Sequence, residues 1–72
     1  MLPINNCVRA LREQHGGMTQ AELGERVKLT RQTIAAIEQR RYSPSLEAAF
    51  LIARVLAKPL EDVFWFDERV DS

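Results

Sequence analysis

The chain has 72 residues, 46% of them apolar, with ten basic and ten acidic side chains and a net charge of zero. That length makes one domain, residues 1–72, too small to enclose a substrate, and the composition is that of a soluble globular chain rather than a disordered one. Apolar runs fall short of the ~20 residues of a membrane span, Met1-Leu2-Pro3-Ile4-Asn5 lacks the basic start and apolar core of a signal peptide, and Cys7 has no second cysteine to pair with, so the expected location is cytoplasmic.

Asn5 or Asn6 is expected to cap a first helix whose residues Cys7, Val8 and Leu11 share a face. Gly16-Gly17 ends it, because glycine takes the left-handed conformation at low cost. Thr19-Gln20-Ala21-Glu22 has the form of a capping box and opens a second helix with Ala21, Leu23 and Val27 as its apolar residues. After a break at Lys28-Leu29, Thr30 caps a third helix running to about Gln39, with Ile34 and Ile37 inward. Tyr42-Ser43-Pro44-Ser45 is a turn, and Ser45 can cap a fourth helix. Leu46, Ala49, Phe50, Ile52, Ala53 and Leu56 recur along that helix at three- and four-residue spacing. Pro59 opens a short fifth helix, Leu60 to Phe64, and the β-forming Phe64-Trp65-Phe66 follows. The expectation is an all-α domain.

Two short helices joined by a tight turn, the second showing polar residues outward, form a helix-turn-helix over about residues 19–41. Charge is uneven around it. Residues 26–58 hold Arg26, Lys28, Arg31, Arg40, Arg41, Arg54 and Lys58 against Glu38 and Glu47, whereas Glu61, Asp62, Asp67, Glu68 and Asp71 outweigh Arg69 beyond Pro59. Such a distribution can turn one positive face toward phosphates despite overall neutrality. Residues 31, 32, 35, 36 and 39 share a stripe opposite Ile34 and Ile37. Arg31 matches the O6 and N7 acceptors of guanine, Gln32 matches adenine, and Ala35 and Ala36 allow close approach to a thymine methyl.

The run Thr19-Gln20-Ala21-Glu22-Leu23, then Leu29 to Glu38, then Arg41-Tyr42-Ser43-Pro44-Ser45-Leu46, resembles the Cro/C1-type helix-turn-helix repressor family. Pro59-Leu60-Glu61-Asp62-Val63-Phe64 and Ile4-Asn5-Asn6 extend the likeness to the small stand-alone dimeric members, the cytolysin-repressor-like subtype. The resemblance implies a five-helix lambda-repressor-like domain that binds double-stranded DNA. It also implies phosphate binding by Gln20, an ion pair between Arg12 and Glu38, and antiparallel pairing of Leu2–Asn5 with Trp65–Asp67. Thr30, Arg40, Arg41, Tyr42 and Ser43 cluster as further candidate phosphate contacts, with a surface-packed ring as the equal alternative for Tyr42. The family commonly has glycine where this chain has Lys28, Arg40 and Ala57. Each substitution either strains a left-handed position or alters the turn, and Arg40 is read as turning a backbone contact into a charged phosphate contact.

One domain reads too few base pairs for genomic specificity, so a homodimer on a palindromic operator is expected. Leu60, Phe64, Trp65 and Phe66 are the candidate interface, the alternative being a monomer whose aromatics cover its own core. His15 stands alone and Cys7 reads as a small buried hydrophobe, so no metal site, cofactor, small-molecule ligand or enzymatic chemistry is expected. Glu61-Asp62 and Asp67-Glu68 are read as helix-end and solvating charges. The functional expectation is a repressor, the rival being an antitoxin-like interaction module that binds a protein partner and DNA for autoregulation.

Overall fold

Three helices start where a hydroxyl is placed to receive an orphaned amide. Thr19, Thr30 and Ser45 are all extended and accept from the backbone N–H of Glu22, Thr33 and Ala48. Glu22 returns the contact, its carboxylate accepting the Thr19 amide at 2.8 Å. Hydrogen bonding by the Thr19 amide, and then by its side chain, holds the Glu22 carboxyl below its usual range. In the computed structural model, which describes residues 2–69, the order is β1 (Ile4–Asn6), α1 (Val8–Gln14), α2 (Gln20–Val27), α3 (Arg31–Glu38), α4 (Leu46–Val55), α5 (Leu60–Val63) and β2 (Phe64–Phe66). Asp71, counted in the acidic tail above, lies outside the described residues.

Five helices converge on Val8, Leu23, Ile34, Ile37, Ile52, Leu56 and Val63, all fully buried. Beside this helical core the two chain ends pair as an antiparallel ribbon, Ile4 opposite Phe66, Asn5 opposite Trp65 and Asn6 opposite Phe64. The ribbon begins later on one strand and earlier on the other than the Leu2–Asn5 and Trp65–Asp67 segments expected from the resemblance. The cap of α1 also differs in detail. Cys7 occupies the cap position without a side-chain capping bond, and Asn6 supplies the oxygen that accepts the Val8 amide at 3.0 Å.

Lys28, Arg40 and Ala57 have φ of 61°, 60° and 58°. The turns therefore keep the left-handed geometry that suits glycine, and each non-glycine side chain bears a strain of about 1–2 kcal/mol. Arg40 and Ala57 each follow a helix end, their amides donating to the carbonyls of Ile37 and Arg54. Gly24 has no such freedom to exploit; its role is space. A Cβ there would lie 2.5 Å from the Leu29 carbonyl oxygen, so the turn after α2 can fold back only over a bare Cα.

Three of the apolar helix residues named from the sequence lie outside the core. Leu46 and Phe50 of α4 are 70% and 53% exposed, and Ala21 of α2 is also exposed. The apolar residues of α4 occupy more than one face of the helix. The core takes Ala48, Ala49, Ile52 and Ala53, leaving Leu46 and Phe50 outward along with Leu51.

Candidate nucleic-acid interface

The rotation of α3 about its own axis is fixed by Ile34 and Ile37, buried against α2 and the core. That leaves Arg31 and Gln32 fully presented in the first turn, with Ala35 and Ala36 half-buried beside them. Thr30, at the helix start, is exposed; its hydroxyl receives the Thr33 amide at 3.1 Å and shares a hydrogen bond with the Thr33 hydroxyl at 2.9 Å. Among the described residues Arg31 and Arg41 take part in no ion pair, so both charges face solvent unneutralised. Arg41 is instead oriented by a neutral partner, its Nε donating to Gln39 Oε1 at 2.9 Å. A shallow depression between Gln32, Thr33, Ala36, Arg41 and Tyr42 borders the same face. Tyr42 is half-exposed there, whereas Ser43, also exposed, lines the separate apolar groove beside Pro44.

The angle between α2 and α3 is held by a buried polar network. Arg12 Nε and Nη2 donate to Glu38 Oε2 and Oε1 at 2.8 and 3.1 Å, and Nη1 donates to the Met18 carbonyl at 2.7 Å. The two side chains are only 10% and 5% exposed. Gln20 completes the network through an Nε2 bond to Glu38 Oε1 at 3.0 Å. Its amide carries a second N–H beyond that bond. The hydrogen bond to Glu38 raises the Arg12 pKa above its ordinary value, against the opposing effect of burial. One ion pair thus ties α1 to α3, the loop before α2 and the first residue of α2.

Arg40 does not belong with the outward cations. Its side chain is 10% exposed, and its guanidinium donates to the Leu2 carbonyl and to Asp67. The reading of Arg40 as a phosphate contact is corrected accordingly: the chain termini fold over the end of α3 and take up its donors. Asp67 is corrected with it. Read as a solvating charge, it is a buried carboxylate, and its pKa falls to about 2, first through the Arg69 side chain and amide and then through Arg40. Its type and position gave no hint of this, because its partners depend on the ribbon.

On another face, Ile4, Pro44, Leu46, Ala49, Leu60, Phe64, Trp65 and Phe66 line an open groove of about 580 Å³. Trp65 and Phe66 are 41% and 56% exposed, whereas Phe64 is buried and Leu60 half-buried. The four expected interface residues therefore share one face, but Phe64 already serves the core of its own chain. Cys7 is half-buried and donates through Sγ to the Asp62 carbonyl at 3.1 Å; burial raises its pKa. His15 is exposed, and among the described residues no cluster of histidine, cysteine and carboxylate side chains can hold a metal ion. No described helix is long and apolar enough to cross a membrane.

The helix-turn-helix family profile matches residues 8–63. Over 53 residues the chain is 58% identical to an uncharacterized HTH-type transcriptional regulator of Methanothermobacter thermautotrophicus, covering 72% of this chain and 77% of that protein. It is 46% identical over 65 residues to YgzD, an uncharacterized HTH-type transcriptional regulator of Bacillus subtilis, covering 90% of this chain and 97% of the relative. A Methanocaldococcus jannaschii regulator of the same description is 37% identical over 65 residues, again 90% and 97%.

Proposed function

The chain belongs to the helix-turn-helix family of DNA-binding transcriptional regulators, and we propose that it acts as a repressor, binding a palindromic operator as a homodimer. The observation that carries this reading is α3 itself: Ile34 and Ile37 are sealed beneath it while Arg31 and Gln32 stand exposed at its leading end. The first turn of such a helix is the part that reaches the base edges in the major groove.

In this reading Arg31 and Gln32 read guanine and adenine edges, and Ala35 and Ala36 keep the helix close to the base pairs. Gln20, Thr30, Arg41, Tyr42 and Ser43 hold the flanking phosphates, Gln20 through the N–H that Glu38 does not use. A two-fold dimer buries Leu60, Trp65 and Phe66, together with Leu46, against the same groove of a second copy, and Phe64 supports that surface from below. The likeness to the small stand-alone Cro/C1-type members supports both parts of this reading.

Two substitutions separate reading from positioning. Arg31→Ala is expected to cost about 1–3 kcal/mol on the preferred duplex and to relax base preference at one position, whereas Arg41→Ala weakens all sequences alike and flattens the salt dependence. Equal losses on every sequence after Arg31→Ala would refute the base-reading role. Sedimentation showing only monomer at micromolar concentration would refute the dimer.

A further inference from the structure

The ribbon that carries Trp65 and Phe66 is bonded directly to the end of α3. Arg40 sits two residues beyond that helix, and its Nε and Nη2 donate to the Leu2 carbonyl at 3.2 and 2.7 Å. Its Nη1 donates to Asp67 Oδ2 at 3.1 Å, and its own carbonyl accepts the Leu2 amide at 3.3 Å. The Asp67 amide closes the circuit on the Pro3 carbonyl at 2.7 Å. One turn back, Asn6 of β1 donates through Nδ2 to the Ile37 carbonyl at 3.0 Å. Both strands are therefore fastened to the C-terminal end of the helix that faces DNA in the reading above.

The backbone at Arg40 makes this fastening informative. Its φ of 60° is a conformation that glycine adopts freely and arginine does not. An arginine here bears strain, and its guanidinium spends its donors on the two chain termini rather than on solvent.

We propose that Arg40 and Asp67 are positioning residues that set the separation of the two recognition helices in the dimer by locking the ribbon to the end of α3. This rests on the dimeric DNA-binding reading. The ribbon's outer side meets the second copy and its inner end holds α3, so the clasp is the short path between the two-fold axis and the DNA. Half-sites 34–36 Å apart put each recognition helix about 17 Å from that axis. A swing of about 10° at the ribbon then moves the helix by about 3 Å, close to the 3.4 Å step of one base pair. A firm clasp makes the protein intolerant of altered half-site spacing; a released one lets it adapt.

The test measures binding of the wild type, Arg40→Gly and Asp67→Asn to duplexes carrying the half-sites recovered by selection, at the selected spacing and with one base pair inserted or removed. Glycine suits the left-handed backbone, so Arg40→Gly removes the clasp while relieving strain, and Asp67→Asn removes only the charge from its other side. The wild type is expected to prefer its own spacing by about tenfold or more, comparable to a mismatched base pair. Both variants are expected to remain dimers with unchanged base preference within each half-site, while their spacing preference falls to about threefold or less. A spacing preference as sharp as wild type in both variants overturns the proposal. So does uniform weakening by Arg40→Gly alone with a reduced salt slope, which would mark Arg40 as a phosphate contact. If the wild type selects no paired half-sites at all, the dimeric reading fails and this inference with it.

Discussion

Replacing Arg12 with methionine would keep most of the side-chain volume and remove every donor that serves Glu38 from α1. The variant loses bonds of 2.8 and 3.1 Å to the carboxylate and one of 2.7 Å to the Met18 carbonyl. Glu38 keeps only the Gln20 amide at 3.0 Å, in a site where its side chain is 5% exposed. Stranding a buried charge in this way costs about 3–5 kcal/mol. A domain of this length is stable by only about 4–11 kcal/mol, so the loss would take a large share of the total. Circular dichroism melts at fixed protein concentration should show Tm falling by more than about 12 °C, at roughly 4–8 °C per kcal/mol. A double variant, Arg12→Met with Glu38→Leu, removes both charges and should recover a substantial part of the loss, because the cost lies in the unpaired ion. An unchanged Tm in Arg12→Met, or a double variant no better than the single one, would show that the network does not hold α1 and α2 to α3.

Gly24→Ala is expected to destabilise by about 1–3 kcal/mol, because the added methyl meets the Leu29 backbone oxygen rather than a movable side chain; denaturant titration measures this, and wild-type stability would show that the turn can shift. Ala57→Gly should stabilise by about 1 kcal/mol by relieving a left-handed alanine at an exposed position, read as a rise in Tm. Asp67, with its pKa depressed from the ordinary 3.8 to about 2, contributes stability that is present above pH 4 and lost as pH falls toward 2. Asp67→Asn should therefore remove that part of the acid dependence, and identical acid unfolding curves for the two proteins would contradict the assignment.

The helices were readable because their signals are local. Thr19 with Glu22, Thr30 and Ser45 each meet an amide three residues away, so sequence order alone brings the partners together. The outer stripe of α3 followed from Ile34 and Ile37, which fix its rotation. The terminal pairing came from the family likeness, and the strand bounds differed at both ends because short strands carry little pattern of their own. Gly24 was missed because its neighbour, the Leu29 carbonyl, approaches only once the turn has closed. Arg40 and Asp67 were misread for a related reason. They lie 27 residues apart, and their burial exists only when both termini fold over α3. Leu46 and Phe50 show the same limit, since periodicity on a helix that is apolar on several faces does not say which face the core will take.

In the proposed complex the exposed leading end of α3 reads base edges twice, once from each copy. Selection of bound fragments from random duplex DNA puts this to the test. The expected result is an enriched inverted repeat whose half-sites are centred about one helical turn, 10–10.5 base pairs, apart, with recovery that falls steeply as salt rises. A pool that stays random in sequence, or one that converges on a single half-site without its inverted partner, would contradict it.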